Sequence, residues 1–243
     1  MIVQHEAGTD RTSTIHPNEA LDEALGNGDA PRVSTDSRAA LCLHGFLRTG
    51  LSMVPMARAL VRGGWAEAKT PTFAYQHRAL EDVAREVREL AKSLADKHGS
   101  SIDLVTHSFG GVVARAALPD LPARRIVMLS PPNQGAELAE LVRNALPLHR
   151  LGWDPLAPML PGAPAEHPSG PAEIGILTGG RGDDRGFNPL LDGDNDGKVR
   201  IVEAMLEGAK DFRVLQVRHP FIMMSPKVHS LVLRFLEAGT FGD

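Results

Sequence analysis

The hydrophobic pattern begins late in this chain. Residues 1 to 37 are polar and rich in Thr, Asp, Asn and Gly, with too few apolar side chains to build a core. They read as an N-terminal arm or a disordered leader. The one element suggested there is a short helix near Asn18–Leu25, with Asn18 as its N-cap. From Ala39 the pattern changes. Ala39–Leu43 is an apolar run of strand length, followed by His44-Gly45-Phe46-Leu47 and a helix from about Leu51 to Arg62. Trp65–Thr70 is a weaker strand. In Leu80–His98 the residues Val83, Val87, Leu90, Ala91 and Leu94 recur at helical spacing. Ser101–Thr106 is an apolar strand that runs into His107-Ser108-Phe109-Gly110-Gly111 and a helix rich in Val and Ala. Arg125–Ser130 reads as a further buried strand, stopped by Pro131-Pro132, with a helix around Ala136–Ala145 after it. Strands at Glu173–Thr178 and Asp211–Val217 precede a last helix, Pro226–Glu237, closed by Gly239.

Strands alternating with helices imply βαβ units and a mostly parallel central sheet flanked by helices. Two segments break the alternation: Leu146–Pro171, which is Pro-rich and aperiodic, and Gly179–Gly197, which is rich in Gly and Asp. Connections in such folds usually run ~2–6 residues, and longer ones commonly carry function. The first segment, at 146–171, is expected to cover the site as a lid, with Trp153 among the substrate-binding residues. Residues 38–243 then form one catalytic domain, and no internal repeat is present.

Composition narrows the chemistry. The net charge of -4 points away from nucleic acid and anionic membrane surfaces. Cys42 is the single cysteine, so the chain can form neither an intrachain disulfide nor a cysteine metal site, and Cys42 is expected as a small buried hydrophobe. The first residues lack the apolar stretch of a signal peptide, and no run reaches the ~18 apolar residues that a membrane span needs. These readings lead us to expect a cytoplasmic protein with no integral membrane association.

The segment Ile102–Gly111 carries the main chemical signal. A nucleophile elbow needs a strand, a sharp turn with a strained serine, and a helix start behind it, flanked by small residues that let strand and helix approach closely. Ser108, Gly110 and Gly111 stand in that order; Thr106 occupies the first small position, where glycine is usual. The plain alternative for Ser108 is a helix N-cap.

Together with His44-Gly45-Phe46 after the first strand, this segment resembles bacterial lipases and esterases of the α/β-hydrolase family. Ser130–Gly135, Asn195–Val199 and Val217-Arg218-His219 look like further landmarks of the same group, so the resemblance spans about residues 39 to 239. It implies the α/β-hydrolase fold and an esterase or lipase activity through an acyl-enzyme, with a small-molecule ester or lipid substrate and no cofactor. It also implies an oxyanion hole from the backbone N–H groups of Phe46 and Phe109. His44 itself reads as a structural histidine that bonds loop carbonyls.

A triad on this fold runs Ser, acid, His along the chain. Two histidines follow the last strand. His219 ends it, whereas His229 lies off the apolar stripe of the final helix and reads as a surface residue. His219 is therefore the expected base. Asp196, in Asp196-Gly197-Lys198-Val199, resembles the acid loop of the family, with Asp194 and Asp183 as alternatives. The same stretch offers a rival: Asp192, Asp194, Asp196, Gly197 and Glu203 match a calcium-binding EF-hand loop, although Gly186-Phe187-Asn188-Pro189 makes a poor entering helix. A thioesterase, amidase or acyltransferase could use the same triad, and a non-catalytic, calcium-binding module could keep the same fold.

Overall fold

A computed structural model of the protein describes residues 38–118, 120–163 and 170–242, all within one compact unit of the chain. The N-terminal arm and its suggested helix near Asn18–Leu25 lie outside these residues. Six strands form one sheet: β1 (Ala39–Leu43), β2 (Glu67–Lys69), β3 (Ile102–His107), β4 (Ala123–Leu129), β5 (Glu173–Gly179) and β6 (Asp211–Leu215). Their spatial order is β2-β1-β3-β4-β5-β6, and every neighbouring pair is parallel. The expected mostly parallel, helix-flanked sheet is what the chain forms.

Helices cover both faces, as a sheet apolar on both sides requires. They are α1 (Val54–Arg62), α2 (Leu80–His98), α3 (Phe109–Ala117), α4 (Glu137–Ala145), the single turn α5 (Ile201–Ala204) and α6 (Pro226–Ala238). Alternation along the strands decides which side chain meets which layer. Leu41, Leu43, Leu104, Ile126 and Ile176 pack with Val83, Val87 and Leu94 of α2 and Val113 of α3. Cys42, Val105, Val127 and Leu177 pack with Met56 and Leu60 of α1 and Val232 and Phe235 of α6. Gly175 of β5 leaves room for one large ring, because a Cβ there would stand 2.6 Å from Phe235 Cε2. Cys42 is fully buried in this layer, and burial pushes its thiol up to about 12, which makes it an inert hydrophobe at neutral pH.

Two local expectations change. The helix expected from about Leu51 starts instead as a 3₁₀ turn, Gly50–Met53, and becomes α-helical only at Val54. Gly50 is pressed against the backbone, since a Cβ there would lie 2.0 Å from Thr70 O, and Pro55 fits the first turn of the helix that follows. The aperiodic segment after α4 contains two more 3₁₀ turns, Leu148–Leu151 and Ala157–Met159. Gly152, at φ 79°, follows the first, and Leu160, extended before Pro161, ends the second.

The sheet order sets the place of the site. The chain leaves β1 outward to β2 and then crosses back to β3, so β1 and β3 are neighbours whose connections run in opposite directions. In open parallel sheets the crevice at the C-terminal ends of such a pair is where ligands bind. His44 follows β1 and Ser108 follows β3 at this point.

Candidate active site

Ser108 sits between β3 and α3 with φ 52° and ψ −120°, a backbone conformation that non-glycine residues adopt only under strain. It stands at the N-cap position of α3, but its side chain makes no capping hydrogen bond to the helix. The turn is held by Ser108 N donating to Leu129 O (2.9 Å) and Gly111 N to Ser108 O (2.8 Å). Small residues are required around it. A Cβ on Gly110 would stand 2.7 Å from Leu43 O, one on Gly111 would stand 2.9 Å from Pro131 Cβ, and one on Gly45 would stand 2.8 Å from His107 Nδ1. Thr106, where glycine is usual, is accommodated beside Gly111, with its Oγ1 3.4 Å from where a Cβ would project.

His44 is fully buried and holds the loop after β1. Its Nδ1 donates to Gly45 O (2.8 Å) and its Nε2 accepts from Phe73 N (2.9 Å), which specifies a neutral ring. Burial holds its imidazole below the ordinary value against the pull of the Gly45 carbonyl. Phe46 comes next on this loop and Phe109 is the first residue of α3, their rings edge to face at 5.7 Å. Among the described residues neither backbone N–H has a hydrogen-bond acceptor, and that of Phe109 belongs to a helix N-terminus, where the first N–H groups have no intrahelical acceptor.

Asp196 and His219 meet across the ends of β5 and β6. Asp196 Oδ2 accepts from His219 Nδ1 at 2.7 Å, and Oδ1 accepts from Lys198 N and Val199 N at 2.9 and 2.8 Å. His219 N donates in turn to Asp196 O (2.9 Å). Both residues are buried. Burial alone would raise the Asp196 carboxyl; the adjoining His219, together with hydrogen bonds that include the Val199 N–H, outweighs it and holds the group below the ordinary carboxylate value. His219 begins a 3₁₀ turn, His219–Met224. His229 is half-buried rather than a plain surface residue, because its Nε2 donates to Met223 O (2.9 Å) and ties that turn to α6.

The other two carboxylates offered by the sequence are occupied elsewhere. Asp194 accepts from Arg181 N, Gly182 N and Asn195 N, and Asp183 from Arg185 N and Gly186 N. The EF-hand pattern dissolves for the same reason. Asp192 is exposed, Asp196 faces His219, and Glu203 accepts from Glu137 N and Arg200 N. Among the described residues no helix enters the loop. Among the described residues, no group of three or more His, Cys, Asp or Glu side chains could hold a metal ion.

One residue beside the elbow was not singled out by the sequence. His107 is buried, donates from Nε2 to His219 O (3.1 Å), and stands 4.8 Å ring to ring from His219. Burial, then the charges of His219 and Arg48, hold its imidazole well below the ordinary value. Its strand position before Ser108 was the available signal, but only the fold shows that it faces the His219 loop.

Ser108, His107 and His219 line one cavity of about 220 Å³ together with Phe46, Leu156 and Met159. A second cavity of about 170 Å³ shares Phe46, Leu47, Val142 and Leu156 with it. Trp153 lines this second cavity and not the first. Its Nε1 donates to Gln76 O (2.8 Å), and its ring stacks on His77 at 6.2 Å. The segment bearing Trp153 is further fixed by Arg143 Nε to Asp154 Oδ2 (2.8 Å) and by Ala136 N to Met159 O (2.7 Å).

The fold is shared with bacterial lipases and esterases. A Bacillus licheniformis lipase, BlEst2 in its mature form, superposes with a TM-score of 0.65 at 18% identity, covering 82% of this chain and 91% of that one. Phospholipase PlaB from Legionella pneumophila, solved with thio-NAD, gives a TM-score of 0.60 at 17% identity over 84% of this chain and 59% of its own. A metagenomic carboxyl esterase, MGS0156, gives 0.57 at 21% identity over 78% and 67%. These likenesses identify the α/β-hydrolase fold. No curated protein matches the sequence. No described helix is long and apolar enough to cross a membrane. One family profile, described as a domain of unknown function (DUF7379), matches residues 5–152. With more than half its length matched, the chain belongs to that family.

Proposed function

We propose that the protein is a serine hydrolase of carboxylic esters, with Ser108 as nucleophile, His219 as base and Asp196 as the residue that orients it. The observation that carries this reading is the strained Ser108 in one cavity with a histidine whose far nitrogen is held by a buried carboxylate. With Nδ1–H bonded to Asp196, the Nε2 of His219 is the basic nitrogen. Ser108 Oγ attacks the ester carbonyl carbon as its proton passes to His219 Nε2. The carbonyl oxygen takes up the negative charge and is held by the Phe46 and Phe109 N–H groups, and donors of this kind can each contribute ~3–4 kcal/mol to lowering a barrier. His219 returns the proton to the departing alcohol and leaves Ser108 acylated. Water then attacks the acyl carbon and loses a proton to His219, which passes it to Ser108 Oγ as the acid is released, regenerating both residues. Asp196 stays ionised throughout, consistent with the direction in which its carboxyl is held.

In this reading residues 38–243 are the catalytic domain, and residues 146–163 cover the acyl pocket, while residues 164–169 of the expected lid lie outside the described residues. Leu156 and Met159 wall the cavity at Ser108, and Leu146, Trp153 and Pro155 wall the one beyond it. An apolar acyl chain would run from the first into the second past Phe46 and Val142. Trp153 then acts at the far end of the chain and not at the reacting carbon.

The test combines chemistry and labelling. An ester such as 4-nitrophenyl butyrate should be hydrolysed, and a fluorophosphonate should add once, to Ser108. Ser108→Ala should abolish both while leaving the melting temperature near that of the parent. Labelling at another serine, or full activity in the variant, would remove Ser108 as nucleophile.

A further inference from the structure

The cavity around Ser108 has a charge that the rest of the chain does not. The chain carries 26 Lys and Arg against 30 Asp and Glu. Yet Arg48 and Lys198 line this cavity, and among the described residues no Asp or Glu does. The carboxylate of Asp196 is fully buried and paired with His219, its oxygens taken by His219 Nδ1 and two backbone N–H groups. Arg48 donates from Nη2 to Pro220 O (3.2 Å), which leaves its other guanidinium donors for a ligand. Among the described residues neither Arg48 nor Lys198 pairs with a carboxylate. Both charges are felt inside the site, since both help to hold the buried His107 imidazole down.

Both are joined to the loops that carry the acid and the base. Arg48 is tied to the residue after His219, and Lys198 stands two residues after Asp196 on the loop that grips it. The apolar wall, Leu138, Ala139, Val142, Leu156 and Met159, comes from α4 and the covering segment. His219 must protonate the departing oxygen, so the leaving group has to lie beside it. The cations therefore flank the alcohol side of the ester, and the apolar wall receives the acyl side.

We infer that the alcohol released by this protein carries an anionic group, a phosphate or a carboxylate, received by Arg48 and Lys198. The inference rests on the serine-hydrolase reading above. A guanidinium presents several donors to such an anion, and an ammonium supplies a point charge. A cleft lined by one sign of charge with apolar walls also concentrates ligands of the opposite sign.

The probes are three butyrate esters that differ only in the alcohol: glycerol, glycerate and glycerol 3-phosphate, with butyrate release as the readout. For the parent protein at low salt, kcat/KM for at least one anionic ester should exceed that for the glycerol ester by about fivefold to tenfold, the scale of two partly exposed ion pairs. The ratio should shrink as salt rises, because charges are screened within about 8 Å at 0.15 M. Lys198→Gln should lower the ratio several-fold, and adding Arg48→Gln should bring it to about one. Because Arg48 also supports the His219 turn, the ratio is read within each variant, where a general loss of activity cancels. Preference for the phosphate or for the carboxylate ester identifies the anion. Equal turnover of all three esters, or a ratio unchanged in the double variant, overturns the inference and leaves the hydrolase reading standing. If none of the esters is cleaved and the fluorophosphonate does not label Ser108, both fall together.

Discussion

At the scale of single residues, the site depends on conformations and partners more than on residue type. Ser108 is held at a positive φ that costs of order 1–3 kcal/mol and persists only because its surroundings impose it. Asp196, Asp194 and Asp183 are the same side chain in one acidic stretch, yet only Asp196 has an oxygen on His219. Asp196→Asn is expected to lower kcat by about 10⁴, the penalty known for an amide that stabilises the wrong imidazole tautomer. Asp183→Asn should leave kcat within a few-fold of the parent. Asp194→Asn should act mainly on stability, because it breaks a carboxylate cradle for Arg181 N and Gly182 N. Steady-state kinetics and thermal melts of the three variants check this, and an inactive but stably folded Asp183 variant would relocate the acid. The sequence could place all three carboxylates near the strand ends but could not choose among them by geometry, since the choice turns on where the 180–200 loop folds back.

At the scale of elements, close approach between β1 and α3 shapes the elbow. Gly110→Ala would drive a methyl group into Leu43 O, 2.7 Å away. Backbone cannot yield there without moving the loop that carries Phe46. The expected cost is about 1–3 kcal/mol of stability, together with a fall in kcat; Ala at Gly99, which has open space but a φ of 66°, should cost stability without lowering kcat, and denaturant melts and kinetics on both variants test it. The covering segment has its own signature. If the acyl chain reaches the cavity walled by Trp153, each added methylene that is buried contributes about 0.8 kcal/mol, or about fourfold in kcat/KM. In an ester series from acetate to decanoate, Trp153→Ala should flatten the gain for the longer chains and leave acetate and butyrate unchanged. A uniform drop across the series would make Trp153 a brace for the Gln76 and His77 turn and nothing more. Periodicity located the strands and long helices well because each buries a regular stripe. It could not foresee the 3₁₀ turns of this segment, which are set by prolines and by what the segment packs against.

At the scale of the whole molecule, pH links the site to stability. His44 and His107 are both held below the ordinary histidine value, chiefly by burial. Below about pH 6.5 the unfolded chain therefore binds protons that the folded chain refuses, so stability rises with pH through this range and is lost as pH falls. Each such histidine can contribute up to about 1.4 kcal/mol per pH unit. Asp196 acts in the same direction at lower pH, where its depressed carboxyl must be protonated. Melting temperatures should fall from pH 7 to pH 5, and His107→Gln, which keeps a donor for His219 O but cannot titrate, should give a shallower slope. An unchanged slope would assign the acid sensitivity to other groups.

The sequence by itself determined the parallel sheet, the order of its strands along the chain, and the strand-turn-helix around Ser108. Those are local or periodic properties: which side chains alternate, where glycine permits a turn, and where proline ends an element. Only the tertiary structure decided that Asp196 and not its neighbours meets His219, that His107 backs the His219 turn, that Trp153 stands in a second cavity, and that Arg48 and Lys198 line one cavity with Ser108. Those pairings join residues as far apart in sequence as Arg48 and Pro220. Hydrophobic patterning dictates which faces are buried, and the crossing of the chain between β1 and β3 dictates which loops meet above them.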